Sequence, residues 1–225
     1  MTRAARAVIS WSSGKDSALA LHRLRQSGEL DVVAALTTVT SEFARVSMHG
    51  VREELLDRQL QLLGLPGYKV QIPWPCPNAV YDEAMAGGLE HMKRDGITHI
   101  VFGDLYLEDV RAYREQKLAG SGITPVFPLW QLGSREVAEA IIDSGIRALV
   151  SCVDASKLDR SFAGRLFDRQ LLRDLPRQVD PCAERGEFHT VVVDGPFFDA
   201  PIDTRVGAIV ERDGFIYADV IPMPG

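Results

Sequence analysis

Ala7-Val8-Ile9-Ser10-Trp11-Ser12-Ser13-Gly14-Lys15-Asp16-Ser17 is a short apolar run that breaks into small, polar and charged residues and then opens an amphipathic stretch. The run Ala7–Ser10 reads as a buried strand. Ser17–Gln26 places Leu19, Leu21 and Leu24 around one side and stops near Gly28, as a helix does. A strand that turns through Ser12–Ser17 into a helix offers free backbone N–H groups at the helix start, a ready site for phosphate. Gly14 lets the backbone approach closely, Lys15 adds positive charge, and Asp16 can orient the loop or help hold a magnesium ion. Ser12, Ser13 and Ser17 add hydroxyls. The spacing is not that of a Walker A loop, nor of a G-x-G-x-x-G dinucleotide loop. On spacing alone, a serine-rich capped turn is the competing reading.

The same alternation continues outward. Val32–Thr38, Tyr68–Ile72, His99–Phe102, Pro125–Leu129 and Ile146–Cys152 read as further buried strands. Val51–Leu63, Ala79–Arg94, Val110–Leu118, Ser134–Ser144 and Phe162–Leu175 read as helices, with Ser134 as a capped start. Strand–helix alternation of this kind predicts an α/β fold with a doubly wound parallel sheet. After Pro176 the pattern changes: Phe188–Val193 and Val206–Tyr217 are strand-like, and Asp213-Gly214 signals a hairpin. The expected organisation is a nucleotide-binding domain over residues 1–175 and a small β-rich C-terminal element over 176–225, placed to recognise a substrate.

Composition narrows the functional classes. With 225 residues the chain buries a core without disulfides or a structural metal, and its formal charge of −6 argues against a nucleic-acid-gripping surface. Cys76, Cys152 and Cys182 are scattered and form no C-x-x-C pair, so neither a disulfide framework nor a zinc site is implied. No signal peptide or membrane span is read, and a reducing cytoplasm is the expected setting.

Asp180-Pro-Cys-Ala-Glu-Arg-Gly-Glu-Phe-His-Thr190 packs Asp180, Glu184, Glu187, His189 and Cys182 into eleven residues that run into a predicted strand. Such polar residues at a strand mouth suit recognition of an amine or ammonium group; a solvated charged loop is the bland alternative.

Ser12–Ser17 resembles the S-G-G-x-D-S loop of the PP-loop ATP pyrophosphatases, with Ser13 replacing the first glycine, a change expected to disfavour positive φ there. The 180–190 segment resembles the D-x-C-G-E-x-G-E-[FY]-H-T motif of the diphthine–ammonia ligase (diphthamide synthetase) family, with Ala183 replacing a glycine. His49-Gly50, Gly103-Asp104, the Arg111/Arg114 stretch and Pro128-Leu129-Trp130 agree with that resemblance along most of the chain.

The resemblance implies a PP-loop (HUP-like) fold and an ATP-dependent ligase with Mg²⁺. It adenylates a carboxylate, releases pyrophosphate, and lets ammonia displace AMP. It implies that Ser12, Ser13, Gly14, Lys15, Asp16 and Ser17 hold the phosphates, with Thr37, Thr38, His49, Gly103 and Asp104 near the nucleotide and Asp16 and Asp104 near the metal. Arg111, Arg114, Asp180, Glu184 and Glu187 are the implied substrate contacts, and Lys15, Asp16, Glu184, Glu187 and His189 the catalytic set. The implied acceptor is diphthine on elongation factor 2 in an archaeon or eukaryote; in a bacterium it is another carboxylate, such as a small metabolite. No glutaminase region is apparent, so free ammonia is the default donor. An ATP-dependent tRNA-thiolating enzyme fits less well, because it needs reactive cysteines and a basic face. A non-catalytic ATP-binding regulatory module would not need the Glu/His segment. Homo-oligomerisation is left open.

Overall fold

The structure is a computed structural model that describes residues 4–47 and 49–224. Strand β1 (Ala5–Ser10) leads into helix α1 (Lys15–Ser27), which ends at Gly28 with φ 68°. There follow β2 (Leu30–Thr40), the two-residue β3 (Arg45–Val46), α2 (Glu53–Leu63), β4 (Gly67–Ile72), α3 (Asn78–Arg94), β5 (His99–Val101), α4 (Glu108–Leu118) and β6 (Thr124–Val126). Helix α5 (Ser134–Asp143) and strand β7 (Arg147–Asp154) come next, then a 3-10 turn at Arg160–Phe162, α6 (Arg169–Asp174), β8 (Phe188–Asp194), β9 (Thr204–Arg212) and β10 (Phe215–Pro222).

Strands β4, β2, β1, β5 and β6 form a parallel sheet in that spatial order, and β3 adds a short antiparallel pairing to the end of β2. Chain order reverses between β1 and β5. In open α/β sheets the crevice at such a reversal, outside the carboxyl ends of the strands, is where ligands bind. The Ser12–Ser17 loop leaves β1 at that crevice, and Gly103-Asp104 leave β5 beside it.

Both faces of the sheet are covered, as a doubly wound fold requires. Ala7 and Ile9 belong to the larger core with α1, α2 and α5, whereas Val8 points to the other core, with Leu36, Ile100, Met92 of α3 and Leu118 of α4. This period-two alternation along a continuously apolar strand marks burial on both sides.

The remaining strands make a separate antiparallel sheet in the order β8–β7–β10–β9. Ile146–Cys152, expected as a strand of the parallel sheet, instead lies in β7 and pairs antiparallel with β8 and β10. The second sheet therefore draws on chain from both sides of Leu175. An apolar run specifies a buried strand but not its partner, which accounts for the difference.

The expected helix over Phe162–Leu175 is broken. Gly164 takes φ 84°, and Asp168 caps a new start by accepting from the Leu171 N–H at 2.8 Å. Ser134 does not cap α5; its hydroxyl donates to Asp180 at 2.5 Å. The Asp213-Gly214 hairpin forms as read, with both residues at positive φ (51° and 80°).

Asp219 on β10 ties the two sheets together. It accepts from Arg52 Nε and Nη2 at 2.8 and 2.6 Å and from Arg45 Nη2 at 3.0 Å. The Arg52 hydrogen bonds are the main reason that its carboxyl titrates below the ordinary 3.8. A depressed folded value means that this stability is present above the unfolded pKa and fades as pH falls below about 3.8. In Asp219→Asn, chemical denaturation at pH 7 should show a loss of about 1 kcal/mol, because the pairs are partly solvent-screened. The variant should also lose less stability than wild type between pH 4 and pH 3, two settings to be compared by urea titration.

Candidate functional site

The loop after β1 is held by the second sheet and the segment preceding it. Ser13 takes φ 66°, a left-handed conformation that the absence of glycine was expected to disfavour. It is held there because its carbonyl accepts from the Val192 N–H at 2.8 Å on β8 and from Gln59 Nε2 at 3.3 Å on α2. The Lys15 N–H donates to Thr190 Oγ1 at 3.1 Å. Inside the loop, the Gly14 N–H donates to Ser12 Oγ and Ser17 Oγ donates to the Gly14 carbonyl. Gly14 needs its missing side chain: a Cβ there would lie 3.3 Å from both His49 Cε1 and the Thr190 carbonyl.

Lys15 lies inward, only 2% exposed, and its ammonium donates to the Cys182 carbonyl at 2.7 Å and to Asp16 Oδ2 at 2.9 Å. The rings of Phe167 and Phe188 lie 5.4 Å from its Nζ. Burial works against the charge, but Asp16, Cys182 and Glu184 outweigh it and raise the Lys15 pKa. In this conformation Lys15 therefore joins the loop to the 180–190 segment instead of facing the crevice.

Burial raises the Asp16 pKa against the pull of Lys15. Its second oxygen, Oδ1, is buried without a hydrogen-bond partner among the described residues, and so is Ser13 Oγ. Buried polar atoms are nearly always paired, and each exception calls for an explanation. Two of the three such side-chain atoms among the described residues sit in this one loop.

The 180–190 segment is a compact turn built on its own acidic residues. Asp180 accepts from Ser134 Oγ, Tyr106 Oη and the Cys182 N–H at 2.5, 2.7 and 2.7 Å, which hold its carboxyl below the ordinary range despite burial. Glu187, 3% exposed, accepts from the Arg185 N–H at 3.1 Å and the Asp180 N–H at 3.4 Å. Both carboxylates, expected to face a substrate, are used in closing the turn. Glu184 differs. It accepts from the Leu105 N–H at 2.8 Å in the loop after β5, and burial, with Asp16 and Asp104 adding like charge, lifts its pKa to about 7.

His49 and His189 face each other with ring centroids 4.5 Å apart, beside Gly14. Burial, partly opposed by the Thr190 carbonyl, brings His49 to about 4; burial together with His49 takes His189 well below 6.5. Both are neutral imidazoles at pH 7.

Thr37 is buried and donates to the Trp11 carbonyl at 2.7 Å, while half-buried Thr38 pairs with β4 and its carbonyl accepts from Ser47 N–H. Gly103 has a packing reason to be glycine: a Cβ would sit 2.9 Å from the Asp16 backbone. Asp104 is held by Arg114 through two contacts of 2.5 and 3.0 Å, and the same guanidinium lies 4.3 Å over Phe102. Arg111 pairs with Glu115 and stacks over Phe127 and Trp130. Arg114 is thus committed to Asp104, whereas Arg111 uses only its Nε, on Glu115.

Cys182 is buried, its thiol pushed up to about 12 by burial, and it donates to the Ser134 carbonyl. It is not poised as a nucleophile. Among the described residues no group of three or more His, Cys, Asp or Glu converges as a metal cage, and no helix is long and apolar enough to cross a membrane. Magnesium held mainly by phosphates needs only one or two carboxylates. Asp16, with one unpartnered oxygen, is fitted to that part; Asp104, bound by Arg114, is less so.

Two residues of the site carry little or no signal in the sequence. Tyr106 holds Asp180 from a loop without distinctive spacing. Gln59 is a polar residue in the row Leu55, Leu56, Leu60, Leu63, and that interruption is the one visible sign. A pocket of about 520 Å³, lined by none of these residues, lies between the segment around β3 and the β9–β10 hairpin, walled by Phe43, Trp74, Phe215 and Tyr217.

Two family models cover most of the chain. Residues 5–124 match the diphthamide synthase N-terminal domain and residues 133–215 the diphthamide synthase C-terminal domain. The chain belongs to the diphthamide synthase family. A diphthine–ammonia ligase from Schizosaccharomyces pombe is 28% identical over 95 residues, a stretch that is 40% of this chain and 16% of that protein. The two positions at which this chain replaces a glycine of the family motifs, Ser13 and Ala183, both adopt positive φ, 66° and 56°.

That coincidence makes a prediction. A non-glycine residue held left-handed costs about 1–2 kcal/mol. Ser13→Gly also removes the unpartnered hydroxyl. Ser13→Gly and Ala183→Gly should each raise stability by about 0.5–1 kcal/mol after the greater freedom of glycine in the unfolded chain is counted, as read by thermal denaturation. A fall in melting temperature for both would contradict the backbone assignment.

Proposed function

We propose that this member of the diphthamide synthase family is an AMP-forming ligase. It uses ATP to adenylate a carboxylate and transfers ammonia to it. What carries the reading is the Ser12–Ser17 loop at the sheet's reversal point, with Ser13 Oγ and Asp16 Oδ1 buried and unpartnered. Phosphate oxygens and a magnesium ion offer the partners those atoms lack. Bound there, Mg²⁺ would neutralise charge on the leaving phosphates.

In the first step a carboxylate oxygen attacks the α-phosphorus, the bond to the β-phosphate oxygen breaks, and pyrophosphate leaves. In the second, ammonia adds to the acyl carbon, the acyl–phosphate bond breaks, AMP departs, and one proton is lost. The chain's own groups suit these needs. The α1 N-terminus and loop hydroxyls bind the pyrophosphate portion. Glu184, titrating near 7 beside the loop after β5, accepts the ammonia proton. The neutral pair His49–His189 donates hydrogen bonds without adding charge. The 520 Å³ pocket is large enough for the body of an organic acceptor. The similarity to the S. pombe diphthine–ammonia ligase supports diphthine as that acceptor, carried on elongation factor 2 where the host makes it.

Incubation of α-labelled ATP with protein, Mg²⁺, ammonium and candidate carboxylates should yield AMP only when the right acceptor is present. Lys15→Ala and Asp16→Ala should lower the yield at least 100-fold, to be checked by resolving the labelled products. ADP as the product, or tight binding without turnover, would contradict the ligase reading.

The pH profile tests the proton acceptor. As a base, Glu184 works deprotonated, so its contribution to kcat should rise as pH passes upward through about 7. Glu184→Gln should lose that inflection along with most of the rate.

A further inference from the structure

The Gln59 carboxamide is fully buried on α2, among leucines, and touches the β1–α1 connection at two points and β8 at a third. Its Oε1 accepts from Trp11 Nε1 at 2.9 Å at the end of β1. Its Nε2 donates to the Val192 carbonyl on β8 at 2.7 Å and to the Ser13 carbonyl at 3.3 Å. Both amide hydrogens are thus spent on backbone oxygens, one of them at the left-handed residue of the phosphate loop. The Val192 N–H donates to the same Ser13 carbonyl, so α2 and β8 clasp one peptide group from two sides. Neither a leucine nor a charged side chain could make this set of contacts without leaving a buried group unpaired.

We propose that Gln59 is a positioning residue for the nucleotide loop: it holds the Ser13 peptide so that the Asp16 and Ser17 amides at the start of α1 face the ligand. The inference rests on the ATP reading for its ligand, but its structural half does not. Gln59 lies behind the loop and touches no phosphate. It acts by keeping left-handed a residue that, without glycine's freedom, would relax when released.

A single variant confuses positioning with stability, since Gln59→Met leaves the Trp11 indole N–H buried and unpaired. Trp11→Phe removes that donor alone. The double variant Trp11→Phe/Gln59→Met removes the indole donor together with its acceptor, which recovers the stability lost to the unpaired indole while leaving the Ser13 and Val192 carbonyls without their side-chain donor. Three readouts separate the roles: melting temperature, hydrogen exchange of peptides covering residues 12–17 and 204–222, and affinity for Mg²⁺ with α,β-methylene-ATP.

Expected is at least tenfold faster exchange in residues 12–17 and at least tenfold weaker nucleotide binding in the double variant, with residues 204–222 and the Trp11→Phe control close to wild type. Unchanged loop exchange and unchanged affinity in a folded double variant would overturn the proposal and leave Gln59 as core packing. Should the double variant fail to fold, the same readouts on Trp11→Phe/Gln59→Leu, which continues the leucine row of α2 and likewise lacks both donors, decide it. Wild type that binds no nucleotide would bring down the ATP reading, and loop exchange would still decide the role of Gln59.

Discussion

The arrangement depends on the clasp between the Ser12–Ser17 loop and the chain around β8. The Ser13 carbonyl bonds to Val192, the Lys15 amide to Thr190, and the Lys15 ammonium to the Cys182 carbonyl. These contacts span more than 160 residues of sequence, and each buries polar groups that must be paired. Through them the antiparallel sheet becomes part of the support of the Ser12–Ser17 loop. Separating the two sheets would leave a buried lysine with Asp16 as its one remaining acceptor and a left-handed serine without its clasp.

Buried charge gives the site its character. Lys15, Asp16, Asp104 and Glu184 influence one another within a region poor in water, where Lys15 and the Leu105 amide stabilise charges that burial opposes. Glu184 emerges with a pKa near 7, while Asp180, with hydroxyl and amide donors on both oxygens, stays ionised. Carboxylates in one short segment thus divide into structural and titratable groups by their hydrogen-bond partners. Divergent titration of this kind is a frequent mark of a functional site.

The sheet and the loop were legible in the sequence because each rests on local signals. Ala7–Ser10 is apolar throughout, Gly28 and Gly64 stop α1 and α2, and Asp213-Gly214 turns the hairpin. The partner of β7 was not legible, since an apolar strand looks the same in either sheet. The roles of Asp180, Glu187 and Arg114 were also hidden. Residue type announces a charge, but only the folded chain shows whether Ser134, Arg185 or Asp104 already occupies it. Ser13 is instructive in the other direction. Propensity alone disfavours its φ, and a long-range clasp overrides propensity.

The most direct test is a crystal structure of the full chain with Mg²⁺ and α,β-methylene-ATP. The account predicts phosphate oxygens within hydrogen-bonding distance of the Asp16 and Ser17 amides, with Asp16 Oδ1 turned to the metal and the Ser13–Val192 clasp intact. Nucleotide bound elsewhere, for example wholly within the pocket walled by Phe43 and Trp74, with the Ser12–Ser17 loop untouched, would contradict it.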